Sequence, residues 1–149
     1  ILNKRSLKTV IDNSNYYEPN EPNVTALFDP ENLKWKHLIN DGTPIPTPWG
    51  QVAYDSIAVV YQQKRRQMIT DGVSADKMEI IFKELKRSTI PMLKSQKYYG
   101  EVGAFEGAGY LAKGLYRPEV DCIMFSRNRS EFCKVCSEAI ENMIDWYVK

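Results

Sequence analysis

The 149-residue sequence has a single histidine, His37, and three cysteines, Cys122, Cys133 and Cys136. One imidazole excludes any chemistry that needs two within these residues, above all an open metal site held by a histidine pair. A dominant charge is missing too: twenty basic against nineteen acidic side chains leave +1. That is too little to hold the molecule on nucleic acid or an anionic membrane. No apolar run approaches the roughly 20 residues that a membrane-spanning helix needs. The opening ILNKRSLKTV lacks an initiator methionine, a long apolar core and a small-residue cleavage site, so it reads as the cut end of something longer. The remaining composition, 43% hydrophobic and 26% charged, is that of one water-soluble domain with a real core.

Six of the eight prolines fall between Pro19 and Pro48. Each fixes its own backbone and pushes its predecessor towards extended geometry, so residues 1–50 are expected to be an irregular, proline-rich coat. Within it, NLKWKHLI predicts one short strand or a brief helical turn docked by Trp35. Helix signals follow TPIPTPW, with Thr47 as cap and Pro48 at the first helical position. Ala53, Ile57, Val60, Tyr61 and Met68 then form one apolar face, and Gly72 closes the helix. Ser74 is the candidate cap of a second helix that buries Met78, Ile81, Phe82 and Leu85 and ends at Pro91. Residues 51–97 thus read as a helical hairpin. Its QQKRRQ run is read as a hydrated helix face rather than a nucleic-acid surface.

From Tyr98 the texture turns glycine-rich. Gly107, Gly109 and Ala112 match a loose dinucleotide fingerprint, but Gly114 and Pro118 deny it the following helix, and no room remains for a return strand. The glycines are read instead as sites of tight turning or close approach. The chain finishes in a helix capped by Ser130, with Phe132, Val135, Cys136, Ala139, Ile140, Met143, Ile144 and Tyr147 on one side. It is expected to pack over the glycine-rich segment, with Cys133 and Cys136 in its first turn.

Three chemistries suit the cysteines. With His37 they have the right number for a zinc site, yet only Cys133 and Cys136 are close in sequence, whereas structural sites bring two close pairs. Cys133 and Cys136 at a helix start also resemble a redox pair, without a thioredoxin-like order of elements around them. The favoured reading is a disulfide from Cys122 to Cys133 or Cys136, worth on the order of 3 kcal/mol and requiring an oxidising compartment.

The stretch VGAFEGAGYLAKGLYRPEVDCIMFS, followed by FCKVCSEAIENMI, resembles the C-terminal part of the IgA-peptidase family of secreted bacterial zinc metallopeptidases, which are metzincin-like. EPNEPNVT, WKHLI and GTPIPTP resemble the same family in the same order, so the likeness spans most of residues 16–147; residues 1–15 do not share it. The resemblance implies an α+β, predominantly α fold with long irregular segments, the C-terminal subdomain of a zincin-like domain. In it the hairpin of residues 51–97 is an insertion, and 98–149 carry the glycine-rich segment, a methionine turn and the last helix. Met124 in DCIM would be the apolar floor beneath a catalytic zinc.

The family's zinc motif, of the form HExxHxxGxxxD, is not in this chain. The resemblance therefore implies an incomplete domain, inactive alone, with zinc and a protein or peptide substrate belonging to the complete enzyme and no metal to this chain. The residues left near a reaction centre are Glu106, Tyr110, Tyr116 and Arg117. Among them the resemblance puts forward Tyr116 as a donor to the oxyanion. Arg117 is expected to pair with a substrate carboxylate or, as the favoured reading, to sit in a structural ion pair with Glu119 or Asp121. The implied location is extracytoplasmic and bacterial, and the implied partners are the missing N-terminal half or, to cover the face it leaves, a second copy. The alternative is a secreted, non-catalytic module that binds protein or glycan on the same scaffold.

Overall fold

The computed structural model describes residues 17–126 and 131–148. Its regular elements are three helices, α1 (Gln51–Thr70), α2 (Ala75–Lys94) and α3 (Lys134–Val148), and two strands, β1 (Phe105–Ala108) and β2 (Leu111–Arg117). The class is α+β and mostly helical. No helix among the described residues is long and apolar enough to cross a membrane.

The proline-rich coat is ordered by single side chains. Lys34 donates to the carbonyls of Glu21 (3.0 Å), Val24 (2.6 Å) and Pro19, and pairs with Glu18 at 3.2 Å. One ammonium thus gathers the EPNEP loop, as its three protons allow. WKHLI forms a single turn of 3₁₀ helix, Lys36–Leu38, and Trp35 before it is fully buried. The indole N–H donates to the Gly103 carbonyl at 2.7 Å. Gly103 must be glycine for lack of space, because a Cβ there would collide with the Thr47 side chain and the Phe105 ring.

Thr47 does not cap a helix. Its hydroxyl donates to Pro44 O and accepts from Ala104 N–H, each at 2.8 Å, while its own N–H donates to Ala104 O. A buried threonine that answers strand groups has no oxygen left for a helix end. Helix α1 starts at Gln51 instead, where Gln96 Oε1 accepts the Gly50 N–H at 2.8 Å. Its end is as expected: Gly72 takes φ +68°, with Gly72 N–H on Ile69 O and Val73 N–H on Met68 O, the paired bonds of a Schellman motif.

Helix α2 starts after Ser74, whose carbonyl, not its hydroxyl, meets the first amides. Pro91 does not end it. The helix runs on to Lys94 because Leu93 is fully buried with Phe105 and Val120, and Thr89 Oγ1 bonds back to Leu85 O at 2.8 Å. Packing there outweighs the one backbone bond that proline removes.

Strands β1 and β2 form an antiparallel hairpin with Phe105 opposite Arg117 and Glu106 opposite Tyr116, and a bulge before Ala108. Alternation puts Phe105 and Arg117 on one face of this ribbon and Glu106 and Tyr116 on the other. The second face meets the main core: Leu33, Trp35, Val102, Ala104, Val135 and the three cysteines, with Tyr116 packed against it. Helix α3 is buried only at its start, at Val135 and Cys136. Phe132, Met143, Ile144 and Tyr147 of its predicted apolar side are exposed, so the helix does not lie over the glycine-rich segment along its length. Ser130, the expected cap, lies outside the described residues.

Candidate functional site

The hairpin of α1 and α2 leans towards the β1–β2 ribbon and leaves a cleft of about 610 Å³ between them. Helix α1 lines it with Gln51, Tyr54, Asp55, Ala58, Tyr61 and Arg65. These recur at three and four residues, so the inward face is turned from the predicted one, and Val60 stays half exposed. The predicted face followed apolar residue types, whereas the true one mixes tyrosine, alanine and charged ends around a solvent-filled groove. Ile81, Phe82 and Leu85 of α2 form the far wall.

Gly107–Ala112 line it from the β-hairpin, and Trp49, Arg117, Met124 and Phe125 also contribute to the lining. Tyr110 stands at the tip of the β-hairpin, fully exposed, with φ +66° after Gly109 at +57°. A two-residue turn of this hand favours asparagine and glycine, and a bulky residue there is strained.

Arg117 is 96% buried, with 4% of its surface exposed. Its Nη1 donates to Glu106 O at 3.0 Å and to Gly107 O, and Nη2 donates to Val120 O at 3.0 Å. The expected ion pair with Glu119 or Asp121 is absent among the described residues: all three hydrogen bonds go to backbone carbonyls. Sandwiching the guanidinium are the rings of Phe125 and Trp49, 3.6 and 4.4 Å from its carbon. Burial pulls its pKa down to about 10, opposed by attraction from Tyr54, Asp121 and Asp55. The carbonyl cage and the ring faces let one cation hold β1, β2 and the 118–121 segment together in low dielectric. Tyr54 packs on Trp49 and Phe125, each at 5.6 Å between ring centres, and burial raises its phenol pKa.

Met124 lies in a tight turn in which the Cys122 carbonyl accepts the N–H groups of Phe125 and Ser126, both at 2.9 Å. It is 63% exposed and faces the cleft. Of the sequence candidates, Tyr110, Arg117 and Met124 meet at this cleft. Glu106 and Tyr116 do not line it: Glu106 Oε1 accepts Gly114 N–H at 3.1 Å, and the Tyr116 backbone bridges to Thr25. The Tyr116 phenol is raised in pKa by burial and then by Glu106. Trp49, Tyr54 and Phe125 were missed, although an aromatic directly after a proline-rich run and another within the first helical turn are visible signals.

Two groups of metal donors are present. His37 is exposed and bonds Glu138 at 2.8 and 3.0 Å through Nε2, and no second imidazole exists in the sequence. These donors do not fit a catalytic zinc. The other group is Cys122, Cys133 and Cys136, all free thiols, all buried, with their sulfurs within 4.8 Å of one another. Cys122 is held well below the usual thiol pKa, chiefly by donation from Cys133 and then Cys136, while those two are raised.

A comparison with curated proteins gave no match. Residues 8–144, nearly the whole sequence, match the family model described as IgA Peptidase M64, and the chain belongs to that metallopeptidase family.

Proposed function

We propose that these residues form the floor and one wall of the substrate cleft in a secreted bacterial zinc metallopeptidase, and that the zinc ligands come from polypeptide beyond this sequence. The observation that carries this reading is the Met124 turn, an apolar side chain presented to a cleft in a member of a peptidase family. A methionine in that position supplies a dry, polarisable surface beneath a metal and moves no proton. The substrate is a protein or peptide. It runs past the Tyr110 tip and the Gly107–Ala112 wall, where the mixed apolar and polar lining suits an extended chain with side chains of both kinds.

In this reading the resident residues position and exclude water, and none of them activates it. Arg117 acts as a positioning residue, since its carbonyl cage keeps the glycine-rich wall at a fixed distance from the Met124 turn. Tyr116, packed against the main core and absent from the cleft lining, is not given the oxyanion role in this reading. The hairpin of α1 and α2 is an insertion that narrows access to the cleft. The remainder of the catalytic domain covers the exposed end of α3, at Met143, Ile144, Trp146 and Tyr147.

The test is a longer product of the same reading frame, compared with these 149 residues alone. The longer protein is expected to cleave denatured protein in a chelator-sensitive way, and the short one not to. Equal, chelator-sensitive cleavage by the short chain would overturn the reading. A longer protein without chelator-sensitive cleavage would favour the non-catalytic binding module.

A further inference from the structure

The three sulfurs of Cys122, Cys133 and Cys136 converge on one point inside the main core, and a disulfide accounts for only two of them. Cys122 Sγ and Cys136 Sγ are 3.9 Å apart, and all three lie within 4.8 Å of one another. A thiophilic ion with metal–sulfur bonds of about 2.3 Å sets its ligand sulfurs about 3.8 Å apart in a tetrahedral arrangement, whereas a disulfide needs about 2.05 Å. We propose that Cys122, Cys133 and Cys136 bind a structural thiophilic d10 cation, zinc or copper(I), independent of any catalytic metal.

Three features besides distance support this. Cys133 and Cys136 are a C-x-x-C pair at the start of α3, a spacing of three that puts both sulfurs on one side of the helix's first turn. Donors surround the sulfurs: Cys133 N–H reaches Cys122 Sγ and Asn23 Nδ2–H reaches Cys136 Sγ, each at 3.4 Å. Such N–H bonds stabilise ligand sulfurs and orient them. Finally, the site joins three parts of the chain: the Met124 turn follows Cys122 directly, α3 begins at Lys134, and Asn23 comes from the proline-rich coat.

Soft thiolate ligands select zinc and copper(I) over harder ions. Each cysteine that binds loses its proton to solvent, so three thiolates around zinc leave one net negative charge, and around copper(I) two. The amide donors and the start of α3 offset that charge within an otherwise apolar cluster. His37 is not a ligand, because its ring is occupied by Glu138 on the solvent side. The site would lock the floor turn to the last helix.

The decisive experiment reduces the purified protein fully under anaerobic conditions, offers zinc or copper(I) in separate arms, removes excess with a weak chelator, and measures bound metal and intact mass. About one metal per chain is expected in at least one arm, and the two arms identify the ion. Cys122→Ser and Cys136→Ser should abolish retention. Asn23→Ala should weaken it about 10–100-fold, as loss of an outer-shell donor does, and His37→Ala should leave it unchanged. No retained metal in either arm, with all three thiols open to alkylation in the folded protein, overturns the proposal. So does quantitative formation of a Cys122–Cys133 or Cys122–Cys136 disulfide in air from protein already loaded with metal. Loss of retention in His37→Ala overturns the three-sulfur assignment. None of these results depends on peptidase activity.

Discussion

Helix α1 and the segment 102–122 are of similar length and opposite character. Across twenty residues the helix buries no side chain, whereas the segment, part strand and part irregular, is buried at Val102–Phe105, Leu115 and Arg117–Cys122. Regular hydrogen bonding and contribution to the core are therefore separate properties here. The helix satisfies its backbone internally and stands over a groove. The irregular segment is satisfied by outside groups, among them Thr47, Trp35 and Arg117, and each of those contacts doubles as packing.

Substitutions at four positions test that contrast. The largest loss is expected for Trp35→Ala, about 3–5 kcal/mol in urea unfolding, since it removes the largest buried ring and strands the Gly103 carbonyl. Arg117→Met should cost about 2–3 kcal/mol by the same measurement, because three carbonyls lose a charged donor. Arg117→Lys should not restore it, since an ammonium cannot fill the planar slot between Trp49 and Phe125. Tyr110→Gly should move the other way and stabilise the fold by about 1 kcal/mol through relief of its left-handed backbone. In the complete enzyme the same change should raise KM, because a cleft-lining ring is lost. Val59→Ala in α1 should change stability by less than about 0.5 kcal/mol, as for other exposed positions. A loss near that of Trp35→Ala would show the hairpin to be part of the core after all.

Much of the local structure was legible in the sequence. Gly72 predicted its helix end because a left-handed residue after an apolar helix has few alternatives. Ile81, Phe82 and Leu85 predicted the inner side of α2 for the same local reason. Arg117 was not legible, because a guanidinium bonded only to carbonyls and rings leaves no mark in charge spacing. Nor was the continuation of α2 past Pro91, which depends on Leu93 meeting Phe105 and Val120 from a distant part of the chain.

The deficit of imidazole, the proline-rich coat, the two long helices and the family are properties of the sequence, since each follows from composition or from residues close together along the chain. Which face of α1 looks into the cleft, that Arg117 is a buried clamp, and that three sulfurs share one point are products of tertiary structure. They arise from contacts between segments such as Asn23 and Cys136, or Trp35 and Gly103, that lie far apart in sequence. Only folding brings those partners within hydrogen-bond reach, so no local pattern encodes them.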